Sequence, residues 1–374
     1  MSGTELKVAV LGAGGTISPA IVRALAESDE VSGMLLLDLD DGRAADVAER
    51  QGCGKAKARR ANARGAPSDP DSVTRAIGRC DVLVNAASYR VNLDAMRACL
   101  ATGTHYLDLG GLYWMTKRQR ELSEEFEGAD LLAVLGIGSS PGKTNLMAAR
   151  AARELDEAES IHVTAGGRDM EPPGGFSPPY AVQTLVDELT LKPVVLRGGR
   201  ACEIDPLSPG GKVDFGPPVG QADTIHTLHS ELATFGDSFG TRNASFRLAL
   251  EPGLLERLRK LAKGTAERIA REQRKAVPPS PKTVAIHLVE AAGGGREIRV
   301  RCVTKPSKKW RLGGGIVSTA SPVAAAVRLL ARGELGARGA LPPELCLDAD
   351  SMFAELERRG SEFELEVAEG VIAG

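Results

Sequence analysis

Aromatic residues make up only 4% of this 374-residue chain, too few for a platform on which single-stranded bases would stack. Charge of one sign is equally lacking. Lys and Arg total 47 against 49 Asp and Glu, a net charge of −2, so no basic field exists to hold nucleic acid. The six cysteines, Cys53, Cys80, Cys99, Cys202, Cys302 and Cys346, include no Cys-x-x-Cys pair. They read as reduced thiols of a cytoplasmic protein, with neither a disulfide frame nor a metal site. No run of about twenty apolar residues is present, which predicts no membrane span. The opening Met-Ser-Gly-Thr-Glu-Leu-Lys has neither the basic nor the apolar block of a signal peptide.

What is present is a globular balance, 43% hydrophobic and 26% charged, in a chain long enough for two domains. Short apolar runs alternate with helical patterns over the first 155 residues. The runs are Leu6–Gly12, Met34–Asp40, Ala56–Ala63, Asp81–Ala87, Thr104–Leu109 and Asp130–Gly136. Strands separated by helices imply βαβ units and a doubly wound parallel sheet, the Rossmann arrangement. The pattern changes after Asp156. Strand Ser160–Gly167, a hairpin over Pro193–Ile204, a helix over Leu254–Lys275 and a hairpin from Thr283–Ala291 to Glu297–Val303 predict an α+β domain. Ser321 and Pro322 have the chemistry of an N-cap and first position for a helix through Ala331, with Gly333 past its end. The expected division is 1–140 for the Rossmann domain and 141–310 for an inserted α+β substrate or dimerisation domain. Residues 311–374 are expected to return to the first domain.

Gly12-Ala-Gly14-Gly15-Thr16-Ile17 falls between the first strand and first helix. Glycine allows the tight turn and the approach of a pyrophosphate to backbone at a helix N-terminus. Ile17 stands where a third glycine is common. Asp38, ending the second strand, is placed to accept from a ribose 2′-hydroxyl, which favours NAD; Arg43 nearby leaves NADP open. Asn85, Ala86 and Ala87 end the fourth strand, and Asp108 the fifth, at the carboxyl edge where α/β ligands bind. A rival class is suggested by Gly136-Ile-Gly138-Ser-Ser-Pro141-Gly142-Lys143-Thr144, which is similar to a P-loop. It fails the spacing, since Ile137 stands where glycine is required, and Pro141 lacks an N–H.

The densest polar cluster is Thr224-Ile-His226-Thr227-Leu-His229-Ser-Glu231. On an extended chain Thr227, His229 and Glu231 share a face. A histidine beside a carboxylate suits proton transfer near neutrality. Glu188 is a candidate for a substrate amine, and Arg168 or Arg242 for a substrate carboxylate.

Several segments in order resemble the saccharopine dehydrogenase-like family, especially its lysine 6-dehydrogenase and carboxynorspermidine dehydrogenase branches. They are Asp81–Ala87 with Met96–Leu100 and Gly103–Asp108; Gly138–Asn145; Thr227–Glu231; and Ser321–Ala326, then Pro342–Glu344 and Glu355–Gly360. The resemblance implies a homodimer that uses NAD or NADP at an amine or imine carbon of a small amino-acid substrate. In that setting Gly138 faces the cofactor, and Pro141 and Lys143 the substrate. The alternative class is a protein that binds NAD as a sensor, without turnover.

Overall fold

The computed structural model describes residues 4–369. Six strands come first: β1 (Leu6–Leu11), β2 (Val31–Asp38), β3 (Ala56–Arg60), β4 (Val82–Asn85), β5 (His105–Asp108) and β6 (Leu132–Val134). Then follow β7 (Ser160–Asp169), β8 (Val194–Arg197), β9 (Arg200–Glu203), β10 (Pro209–Asp214) and β11 (Gln221–His226). The last five are β12 (Asn243–Leu248), β13 (Thr283–Gly293), β14 (Arg296–Thr304), β15 (Gly339–Leu341) and β16 (Ser361–Glu369).

Two compact units result. The first runs to Lys143 and resumes over Thr319–Asp348; the second holds Thr144–Ser318 and the chain from Ala349 onward. In the first, seven strands lie in the order β15-β6-β5-β4-β1-β2-β3, every pairing parallel. This is the doubly wound order, reversing between β1 and β4, where such sheets bind ligands. Val8, Val10, Val82 and Val84 are all fully buried, as strands covered on both faces require. Helix Ser18–Ala26 follows β1 with Pro19 in its first turn. Asp40 caps helix Asp41–Gln51 after β2 by accepting from the Arg43 N–H.

The second unit is built on a nine-stranded mixed sheet. Its main path is β10-β11-β12-β7-β13-β14-β16, with β8 on β12 and β9 on β8. Only β12 and β7 run parallel there; the other ladders are antiparallel. Gly294 and Gly295, at φ +58° and +76°, turn β13 into β14, as a two-residue hairpin of primed type requires. Helices Val182–Thr190, Pro252–Ala262 and Ala266–Lys275 bring Leu185, Leu189, Leu258, Leu261 and Ile269 into one cluster with Ile225.

The structure corrects the sequence reading in four places. The expected helix over 254–275 is two helices, because Gly264 breaks the run and Thr265 caps the second. Ser321 and Pro322 do not start a helix. Pro322 lies inside helix Gly314–Ala331, whose apolar face, including Val317, Ala320, Val323 and Val327, is buried. That burial outweighs the hydrogen bond the proline cannot donate. By length and composition this helix is apolar enough to cross a membrane, and 83% of it is buried. The third concerns residues 311–374, which do not return to the first unit as a block. β15 joins the parallel sheet, whereas β16 pairs with β14 along nine residues, where that strand had an open edge. Finally, the chain is not extended from 224 to 231: β11 ends at His226 and a 3-10 turn begins at Glu231.

Candidate active site

In the first unit the candidate nucleotide site is assembled at the β1/β4 reversal. Gly12 has φ +77°, and a Cβ there would lie 2.6 Å from the Ala87 nitrogen. Only glycine lets the first loop press against the Ala86-Ala87 turn. Ser18 Oγ donates to the Gly12 carbonyl at 2.6 Å and the Gly15 N–H to the same carbonyl at 2.9 Å, closing the turn. Ile17 is the N-cap of the following helix and offers no side-chain cap. Thr16 is exposed and Ile17 partly so, which leaves the helix start open to an anion. The residues present therefore fit a dinucleotide pyrophosphate, Ile17 included. Asp38 stands beside this loop: its Oδ2 accepts the Gly14 N–H at 2.9 Å and its Oδ1 the Asp40 N–H at 3.0 Å.

Asn85 and Asp108, both expected at the cofactor, are instead buried braces. Asp108 accepts from Tyr106 Oη (2.9 Å), Gln119 Nε2 (2.6 Å), Asn92 Nδ2 (3.1 Å) and the Gly110 and Gly136 N–H groups (2.8 and 2.7 Å). Burial raises its pKa, and the Gln119, Tyr106, Gly110 and Gly136 donors act in opposition. Asn85 donates to Asn92 and Tyr106 and holds the Ala87 N–H at 3.1 Å. Their contribution is to fix the loops at the carboxyl edge of the sheet. Loop 136–142 likewise folds onto itself. The Gly138 N–H donates to the Pro141 carbonyl and the Lys143 N–H to the Gly138 carbonyl. At Gly142, φ is +120° and a Cβ would meet the Gly138 backbone at 2.5 Å. Lys143 is fully buried. A P-loop's open cradle for phosphate is therefore not formed.

In the second unit the structure brings together His229, Glu231 and Glu188, with three residues sequence reasoning missed. Glu231 is wholly buried. Its Oε1 accepts from Thr144 Oγ1 at 2.8 Å, and its Oε2 lies 2.5 Å from His229 Nδ1. The imidazole stacks on Phe246 of β12, with ring centroids 3.6 Å apart. Nδ1 thus carries the proton shared with the carboxylate, and Nε2 is left to exchange one. Burial pulls the His229 pKa down, but the charge and hydrogen bond of Glu231, with the charge of Glu188, carry it above the ordinary value. Glu188, on helix Val182–Thr190, accepts from Tyr180 Oη at 2.5 Å. Burial raises its pKa to about 7, against lowering by His229 and Tyr180. Thr227 is buried as well, its Oγ1 without a hydrogen-bond partner among the described residues. Thr144 stands out in sequence only as part of the P-loop-like segment, and Tyr180 and Phe246 carry no local signal.

Arg168 and Arg242 do not join this cluster. Arg242 precedes β12, its N–H on the Glu159 carbonyl, whereas Arg168 ends β7, reaching the Pro218 carbonyl at 3.3 Å. Since Ser160 pairs with Asn243, they sit at opposite ends of the β7–β12 ladder. At ~3.3 Å per residue the separation is roughly 26 Å, so they cannot share one substrate carboxylate. No group of metal-ligating side chains occurs among the described residues.

Comparison with known proteins agrees with this architecture. Residues 8–134 match the family model of the saccharopine dehydrogenase NADP binding domain. Carboxyaminopropylagmatine dehydrogenase of Synechocystis sp. is 26% identical over 266 residues, covering 68% of this chain and 65% of that protein. The aligned part thus spans just under two thirds of the curated relative. The apo saccharopine dehydrogenase (L-Glu forming) of Saccharomyces cerevisiae superposes with a TM-score of 0.71 at 14% identity, covering 97% of this chain and 100% of that one. The fold is shared.

Proposed function

We propose, from the premise that this chain is saccharopine dehydrogenase-like with residues 8–134 of that family's NADP-binding type, that it is an NAD(P)-dependent oxidoreductase acting on a carbon–nitrogen bond of an amino acid. The observation that carries this reading is the buried His229–Glu231 pair, 2.5 Å apart. It accompanies a glycine loop whose close approach to Ala87 admits no side chain. Bound at that loop, a nicotinamide dinucleotide supplies the hydride acceptor or donor. Thr16 and Ile17 at the helix start would hold its pyrophosphate, Gly12, Gly14 and Gly15 shape the loop it approaches, and Ala86 and Ala87 keep the loop in place.

His229 Nε2 takes a proton from the substrate nitrogen in oxidation and returns one in reduction. Glu231 fixes the tautomer and stabilises the imidazolium, while Thr144 fixes Glu231. Glu188, seated on Tyr180, receives the ammonium group of the substrate. The curated relative is named for carboxyaminopropylagmatine, so a long cationic amine is the substrate class favoured here. The working state is a cytoplasmic homodimer, for which sedimentation of the full chain is the measure.

The test is cofactor reduction by the purified chain, with NAD or NADP, across L-lysine, saccharopine-type and carboxyalkyl-polyamine substrates. Reduction with release of free ammonia means primary-amine oxidation. Reduction without ammonia, reversed by supplying an amine and a carbonyl compound together, means a secondary amine. Tight nucleotide binding with no turnover on any of these would sink the enzymatic reading and leave a nucleotide sensor.

A further inference from the structure

The second unit holds a cavity of about 360 Å³ whose lining includes Arg197, Glu203, Asp205, Ser208 and His226, a volume within the range of small-ligand pockets. It lies where two strands share one edge of β12. β11 pairs with the end of that strand, His226 against Arg247, and β8 with its start, Leu196 against Ala244. The β8–β9 hairpin supplies Arg197 and Glu203. The turn after it supplies Asp205 and Ser208, and the His226 N–H ties it to β11 through the Ser208 carbonyl at 2.9 Å. Ser208 closes that turn, its N–H and Oγ donating to the Asp205 carbonyl at 3.2 and 2.6 Å. Leu207 holds φ +63° there, where glycine is favoured. It packs against the apolar cluster around Leu185 and Leu258, which fixes the turn in this conformation.

His226 and Arg247 stand opposite each other and so share a face of the sheet, whereas Phe246, next along β12, points to the other. Phe246 is where His229 stacks. The His226 wall of the cavity is therefore on the far face of the sheet from the candidate catalytic pair, and the proposed reaction does not use it.

The charges around the cavity are unmatched. Arg197 and Asp205 are exposed, and neither side chain has an ion pair or hydrogen bond among the described residues. Glu203 meets Lys192 at 3.5 Å, with 48% and 60% of the side chains exposed, a pair that contributes little. His226 Nδ1 faces the Phe246 carbonyl at 3.2 Å. A carbonyl only accepts, so Nδ1 carries the proton and Nε2 is the accepting nitrogen of a neutral ring. Burial lowers the pKa of this ring against the Phe246 hydrogen bond, and the charges of Arg247 and Arg197 lower it further. The lining thus offers one guanidinium, two carboxylates and one neutral acceptor.

We infer that this cavity binds a free α-amino acid with a cationic side chain. The α-carboxylate sets two oxygens on the Arg197 fork. The α-ammonium has three donors, enough for Asp205 and His226 Nε2. The side-chain cation displaces Lys192 from Glu203. A ligand with one excess positive charge thereby meets a lining with one excess negative charge.

The test is calorimetry on the full chain with four probes. They are L-arginine, L-argininamide, which lacks the carboxylate, Nα-acetyl-L-arginine, which lacks the ammonium, and L-glutamate, whose side chain has the opposite charge. L-arginine is expected to bind with a Kd of about 1 mM or tighter. Each of the others should bind at least about tenfold more weakly, the span of one charge-assisted contact. Arg197→Ala should remove the advantage over L-argininamide, and Asp205→Asn most of that over the acetylated form. Both positions are exposed, so melting temperature and turnover should not change. Glu188→Gln, in the cluster of His229, should bind L-arginine as the wild type does. Absence of L-arginine binding overturns the inference. So does wild-type affinity in both Arg197→Ala and Asp205→Asn, or loss of binding in Glu188→Gln alone. The proposed reaction is read by cofactor reduction, so the two fail independently.

Discussion

Glu188 and His229 are held at unusual acidities by opposing forces, and the balance differs between them. For Glu188 burial wins, and its pKa rises to about 7. For His229 burial loses to the carboxylates of Glu231 and Glu188, and its pKa also rises. Each group binds its proton more tightly in the folded than in the unfolded chain. Stability from Glu188 is therefore complete below its unfolded value of 4.5 and is lost as pH rises through about 7. Stability from His229 is complete below 6.5 and is lost at higher pH, in the same direction. Glu188→Gln keeps an acceptor for Tyr180 Oη and removes the titration. Between about pH 5 and about pH 8 the wild-type melting temperature should fall further than that of Glu188→Gln. Thermal melts of both proteins across that range check it, and parallel curves would remove Glu188 as a buried titrating group. In sequence Glu188 had the signature of a charge on a helix surface. Burial was decided by Tyr180, eight positions away, and by the packing of the helix that carries it.

Among elements, the turn after β1 depends most strictly on a single residue. Its φ of +77° and the 2.6 Å approach of a hypothetical Cβ to the Ala87 nitrogen act together at Gly12. Gly12→Ala must strain the turn or push β1 and β4 apart at their carboxyl ends. A backbone penalty of about 1–3 kcal/mol is expected, with at least tenfold weaker dinucleotide binding, about one 1.4 kcal/mol step. Calorimetry together with denaturant melts separates the two effects. Undiminished affinity in a folded variant would show that the nucleotide does not use this loop. This element was legible because its determinants are local: an apolar strand, glycines, then a helix with proline in its first turn. Pro322 misled for the complementary reason. Its preference for a first helical turn is local, whereas the burial of helix Gly314–Ala331 is a property of its surroundings.

At the scale of the whole molecule, the chain leaves and re-enters each unit. The last ladder joins β16 to β14 in register from Arg296–Glu369 to Thr304–Ser361. Phe363 stacks on Phe353, ring centroids 3.9 Å apart, and Glu364 and Glu362 pair with Arg301 and Lys305. A chain ending at Asp348 loses that cover and bares the edge of β14, a template for association. It is expected to aggregate and to melt at a lower temperature than the full chain, by calorimetry and light scattering. Equal solubility and melting would mean that the second unit is complete without β16.

The sequence by itself determined the parallel sheet, the glycine loop with Asp38 after the next strand, the two hairpins, and the His229–Glu231 pair as the densest polar cluster. All of these are written in periodicities and spacings within a few residues of one another. Tertiary structure alone decided which charges are buried, that Asp108 and Asn85 brace loops, and that Arg168 and Arg242 stand at opposite ends of a ladder. It also decided that Thr144, Tyr180 and Phe246 complete the polar cluster, and that the last strand belongs to the second unit. These follow from the way the folded chain packs together residues as much as 87 positions apart, where burial and pairing free energies outweigh local preference.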